Sequence, residues 1–100
     1  MVKHIVIWKL KEEANGKTKA ENALLLKQGL ESLKNKISQV ISIEVGFDFA
    51  KNDTCGDIVL YSEFASKQDL HDYQNHPDHK ALGPLVQSCT CERRMLDYEI

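Results

Sequence analysis

A chain of 100 residues has room for one hydrophobic core, so residues 1–100 read as a single domain. The net charge of −2 and a pI near 6.1 leave no basic surface suited to nucleic acid. No stretch approaches the roughly 20 apolar residues that a membrane helix needs, and the apolar N-terminal run is interrupted by Lys3 and Lys9. That run is too short for a secretory leader, so a soluble, cytoplasmic protein is expected.

The first element spans Val2 to Leu10. Val2, His4, Val6, Trp8 and Leu10 alternate with Lys3, Ile5, Ile7 and Lys9, which is the period of a β-strand. Both sides are apolar at the centre, unusual for a sheet with one wet face. Lys11 to Lys17 is polar and holds the turn signal Asn15-Gly16. Thr18, with Glu21 three residues on, forms a capping box and opens a helix running to about Lys36. Its apolar stripe is Leu26, Leu30, Leu33 and Ile37, widened by Ala23 and Leu25. Gly29 inside this helix costs about 1 kcal/mol against alanine and suits close packing.

Val40 to Phe49 is the second strand, with Ile41, Ile43, Val45, Phe47 and Phe49 on one side. After the turn-rich loop Lys51–Gly56, Asp57 to Phe64 is the third. Ser66 caps a second helix that stops near Asn75, because Pro77 disfavours helix in the residue before it. Pro77 then opens a short helix containing His79, Leu82, Leu85 and Val86, deformed at Gly83-Pro84. Glu92 to Ile100 is the last strand, placing Arg93, Met95 and Asp97 on one side and Arg94, Leu96, Tyr98 and Ile100 on the other.

The order β, α, β, β, α, β predicts an α+β, ferredoxin-like fold: a four-stranded antiparallel sheet with helices on one face. Two helices cover one face only. The apolar residues of the other would each lose about 1.5–3 kcal/mol by staying wet, so a homodimer packed through that face is expected.

Three cysteines, Cys55, Cys89 and Cys91, cannot close a disulfide framework. Cys89-Thr90-Cys91 lacks the spacing and second pair of a zinc site, so these are read as partly buried thiols where a strand begins. His76, Asp78 and His79 could offer metal ligands, but no third and fourth partners stand out, and no metal or cofactor is expected. His76 instead suits a backbone bond at the helix break, with Asp78 favouring the new helix start. His4, Tyr73 and His79 could meet at one pocket mouth. There an imidazole would be the natural general base and a tyrosine hydroxyl the natural donor to a carbonyl.

Three segments carry a resemblance: Val2-Lys3-His4-Ile5-Val6, Tyr73-Gln74-Asn75-His76-Pro77-Asp78-His79 and Leu96-Asp97-Tyr98-Glu99. Together they resemble the stress-responsive A/B barrel domain family across essentially the whole chain. The tyrosine followed by His-Pro-x-His is the most specific part. The resemblance implies a ferredoxin-like protomer in a dimeric α/β barrel. One plant member is a cofactor-independent polyketide cyclase, and this likeness makes His79 the candidate base, supported by Tyr73 and His4. Asp78 and Lys80 differ from that cyclase's small apolar neighbours and argue against a greasy polyketide. The leading expectation is a barrel that holds a small apolar or aromatic molecule between sheet and helices. A cyclase-like lyase is the alternative. A heme- or flavin-linked monooxygenase is a third reading that no cofactor motif supports.

Overall fold

The computed structural model describes all 100 residues. In chain order the elements are β1 (Val2–Leu10), β2 (Glu13–Ala14), β3 (Lys17–Thr18), α1 (Lys19–Lys36), β4 (Ser42–Phe47) and β5 (Ile58–Phe64). There follow α2 (Lys67–Asn75), α3 (Pro77–Lys80), α4 (Gly83–Cys89) and β6 (Thr90–Glu99). The four long strands form one antiparallel sheet in the order β4-β5-β1-β6, which is the ferredoxin-like arrangement.

Local chemistry accounts for the element ends. Asn15 and Gly16 both take positive φ, 57° and 73°, as the tight turn of the β2–β3 hairpin requires. The Thr18 hydroxyl accepts from the Glu21 amide at 3.2 Å, while the Glu21 carboxylate accepts from the Thr18 amide at 3.0 Å. Ser66 caps α2 through the Asp69 amide at 3.1 Å. His76, held extended ahead of Pro77, accepts from the Asp78 amide at 3.1 Å through Nδ1 and so caps α3.

Several boundaries differ from the sequence reading. The second strand is shorter, and Phe49 lies beyond it, 94% exposed. The helix after Pro77 is two pieces, because Pro84 cannot donate the amide hydrogen bond that would continue α3. The second piece runs on to Cys89, so β6 begins at Thr90. Cys89 is therefore a buried helix residue and Cys91 an exposed strand residue, rather than two partly buried thiols ahead of the strand.

Register sorts the side chains onto two faces. Val2, His4, Val6 and Trp8 lie opposite Phe64, Ser62, Leu60 and Ile58 and face the helices. Sixteen buried residues make one core cluster, in which Leu26, Leu30, Leu33 and Ile37 of the predicted stripe meet these strands. Leu25, expected to widen the stripe, is 36% exposed, whereas Asn22, one turn before Leu26, is buried. Gly29 has a steric reason: a Cβ there would stand 2.9 Å from Leu82 Cδ2.

On the other face Ile5 sits between Tyr61 and Leu96, and Ile7 between Val59 and Arg94. Ile7, Leu96 and Tyr98 are 41%, 60% and 40% exposed in the single chain. The same face carries an ion pair of Lys3 with Glu63, whose carboxylate also accepts from Ser42 Oγ at 2.8 Å and Tyr61 OH at 2.9 Å. The Lys3 ammonium, then the two hydroxyls, hold Glu63 down at about 2 from an ordinary 4.5. Between those values the unfolded chain binds the extra proton. Stability from this group is therefore complete above pH 4.5 and lost as the pH falls toward 2. Urea midpoints measured across this range should fall more steeply for the wild type than for Glu63→Gln; equal slopes would remove Glu63 from the acid response.

The free edge of β4 is covered by a side-chain clamp. Lys27 Nζ donates to the Val45 carbonyl at 2.9 Å, Glu31 accepts from the Val45 amide at 3.4 Å, and the two are 3.5 Å apart one helical turn along α1. Both outward polar groups at the middle of that edge are thus occupied.

Candidate functional site

Beneath the helices lies a cavity of about 400 Å3. Its floor is His4, Val6 and Trp8 of β1 with Leu60 of β5; α1 gives Leu30, and the segment from α3 to α4 gives His79 and Leu82. The volume is well above the roughly 150 Å3 cavity that admits benzene and lies within the range of small-molecule sites.

The strand histidine is fixed by its neighbour on β6. His4 is 3% exposed, and its Nδ1 is hydrogen-bonded to Asp97, the residue directly opposite it in the β1–β6 register. Ser62 Oγ donates to the His4 carbonyl at 3.3 Å. A carboxylate on one ring nitrogen holds a proton there and fixes the ring's orientation.

Tyr73 comes from the inner face of α2 and is fully buried. Its ring packs 4.9 Å from Phe64 and 4.6 Å from His79 between centroids, and 6.4 Å edge-on from His4. The three expected rings therefore do meet. Tyr73 touches both histidines, but His4 and His79 stand on the cavity wall while Tyr73 lies behind them, out of the lining. Burial pushes the Tyr73 hydroxyl well above its ordinary value, so it keeps its proton.

His79 is half-buried, and burial holds its pKa below the ordinary histidine value, opposed by the Gln74 backbone and aided by the charges of His4 and Arg93. A neutral imidazole is the basic form. Tyr73 OH, His79 Nδ1 and Trp8 Nε1 are buried without a partner in the protein, where an unmet polar group costs about 1–3 kcal/mol.

Of the possible metal ligands, His76 turns to cap α3 while His79 turns into the cavity. No group of three or more His, Cys, Asp or Glu side chains converges anywhere in the chain. Arg93, which lines the cavity, and Asp97, which bonds His4 from behind, were missed in the sequence; both are placed by the pairing of β6 with β1. Their shared side with Met95 on an alternating strand was the available signal, but nothing local says which face of the sheet that side adopts.

An antiparallel sheet with its helices on one face, and a histidine-lined cavity between them, defines a ferredoxin-like α+β protein with a ligand-sized interior site. The chain belongs to the stress responsive A/B barrel domain family, whose profile matches residues 2–100. A dimeric ferredoxin-like protein of unknown function from Bacteroides fragilis is 35% identical, with TM-score 0.81, over 99% of this chain and 95% of that one. A ferredoxin-like member of the family from Mesorhizobium loti is 23% identical, TM-score 0.70, covering 99% and 95%. A hydroxynitrile lyase from Passiflora edulis is 17% identical, TM-score 0.81, covering 99% and 92%. The last two are alike in fold alone. Among curated proteins none matches the chain. No helix is long and apolar enough to cross a membrane.

Proposed function

We propose that this protein is a homodimer, joined through the bare faces of its sheets, that holds a small apolar or aromatic molecule in the cavity beneath its helices. The carrying observation is the cavity itself: about 400 Å3, with Val6, Trp8, Leu30, Leu60, Leu82 and Val86 as apolar wall and His4, Gln74, His79, Lys80, Gln87 and Arg93 as polar lining. An apolar wall with polar groups placed on it is the usual make-up of a ligand site. The dimer is supported by the exposed row of Ile7, Leu96 and Tyr98 and by the dimeric Bacteroides fragilis neighbour. Three free cysteines fit a reducing compartment, for which we assign the cytoplasm.

The test is a thermal-shift series with naphthols and aryl ketones on the wild type and on Val86→Phe, which fills the cavity from α4. Binding should raise the wild-type midpoint, with the rise lost in Val86→Phe. A wild-type midpoint unmoved by every compound, or an equal rise in both proteins, would sink the reading.

A second reading has its own support. His79 is a neutral imidazole on the cavity wall, its ring against the protonated Tyr73. That is the equipment of a cofactor-independent lyase or cyclase in which His79 removes a proton, Tyr73 supports its ring and His4 orients a carbonyl.

A further inference from the structure

We infer that the molecule held in this cavity carries a carboxylate on its apolar or aromatic body, and that Arg93, with Lys80, receives it. The inference rests on the proposed role of the cavity as a ligand site and names the class of ligand.

The charge of the lining is one-sided. Lys80 of α3 and Arg93 of β6 reach the cavity from opposite walls, and no aspartate or glutamate lines it. Asp97, the nearest carboxylate on the helix-facing side of β6, is engaged with His4. Neither Lys80 nor Arg93 takes part in an ion pair within the chain, although seven such pairs form elsewhere.

A second, independent observation points the same way. Trp8 is 5% exposed, its ring lines the cavity, and its Nε1–H meets no acceptor in the protein. Trp8 and Arg93 are direct partners in the β1–β6 register, so the orphaned indole donor and the guanidinium share one patch of the sheet. Trp8 lacks an acceptor and Arg93 lacks an anion. One carboxylate supplies both, taking the guanidinium side-on and leaving a lone pair for the indole. Lysine on the facing wall adds a point charge without demanding geometry. A neutral carbonyl would satisfy the indole but leave the two cations unanswered.

Isothermal titration with 2-naphthoic acid and 2-naphthamide, which share shape and differ in charge, tests this on the wild type, Arg93→Gln and Arg93→Lys. Arg93 is exposed on an edge strand, so neither substitution disturbs the core. The acid should bind the wild type about tenfold more tightly than the amide. That ratio should fall to about twofold in Arg93→Gln and be partly kept in Arg93→Lys. Amide binding with no preference for the acid overturns the carboxylate, and a preference that survives Arg93→Gln overturns Arg93 as its receiver; either leaves the cavity reading intact. Failure of both compounds on the wild type overturns both.

Discussion

Replacing Ile5 with glutamate is expected to convert the proposed dimer to a monomer at micromolar concentration while leaving the protomer folded. Ile5 lies at the middle of β1 on the bare face, between Tyr61 and Leu96. It is half-buried there and outside the main core cluster, so the single chain tolerates a carboxylate at this position. A two-fold axis would bring two copies of that charge into one interface. An unpaired charge enclosed in this way costs about 3–5 kcal/mol, so the dissociation constant should rise on the order of a thousandfold. Sedimentation velocity reads the state, and circular dichroism reads the fold. A dimer that persists unchanged would show that the sheets do not meet through this face.

His79→Gln carries the second large effect. A positioned general base contributes roughly 100- to 10,000-fold to a proton transfer. If His79 abstracts a proton beside a ligand carbonyl, the wild type should speed exchange of the α-hydrogens of a bound aryl ketone into deuterated water. The glutamine variant should lose that acceleration while still taking up the ketone. Because burial holds the imidazole below its ordinary pKa, the wild-type rate should hold level through neutral pH. It should decline only below the ordinary histidine range, as the ring takes up a proton. Exchange followed by proton NMR gives both answers. Equal rates in the two proteins would remove His79 from any acid–base role and leave the cavity as a binding site.

The sequence declared the parts of this protein that depend on near neighbours. Thr18 and Glu21 are three positions apart, and their reciprocal bonds form within one turn of helix. Asn15-Gly16 makes its turn from its own backbone freedom. The stripe from Leu26 to Ile37 reached the core as its spacing required. Long-range pairing was less visible. Asp97 meets His4 across 93 residues of chain, and β6 is so exposed that hydrophobic alternation gives no direction to its two sides. The meeting of His4, His79 and Tyr73 was foreseeable, but not the place of Tyr73 behind the two histidines. Tyr73 goes to the back because its ring fills the space against Phe64, which no spacing rule reports. The start of β6 was hidden for a related reason. The Thr90 amide bonds the Val86 carbonyl in the last turn of α4, and that closure, not any local pattern, sets helix up to Cys89 and strand from Thr90.

The clamp on Val45 has a consequence at high concentration. Fibrous growth by edge-to-edge strand addition needs two usable borders on every subunit, one to receive and one to be received. Here Lys27 and Glu31 occupy the backbone groups at the centre of one border, leaving β6 as the uncovered one. A ribbon that can be lengthened from a single side stops after one addition, so the chain carries its own terminator against runaway polymerisation.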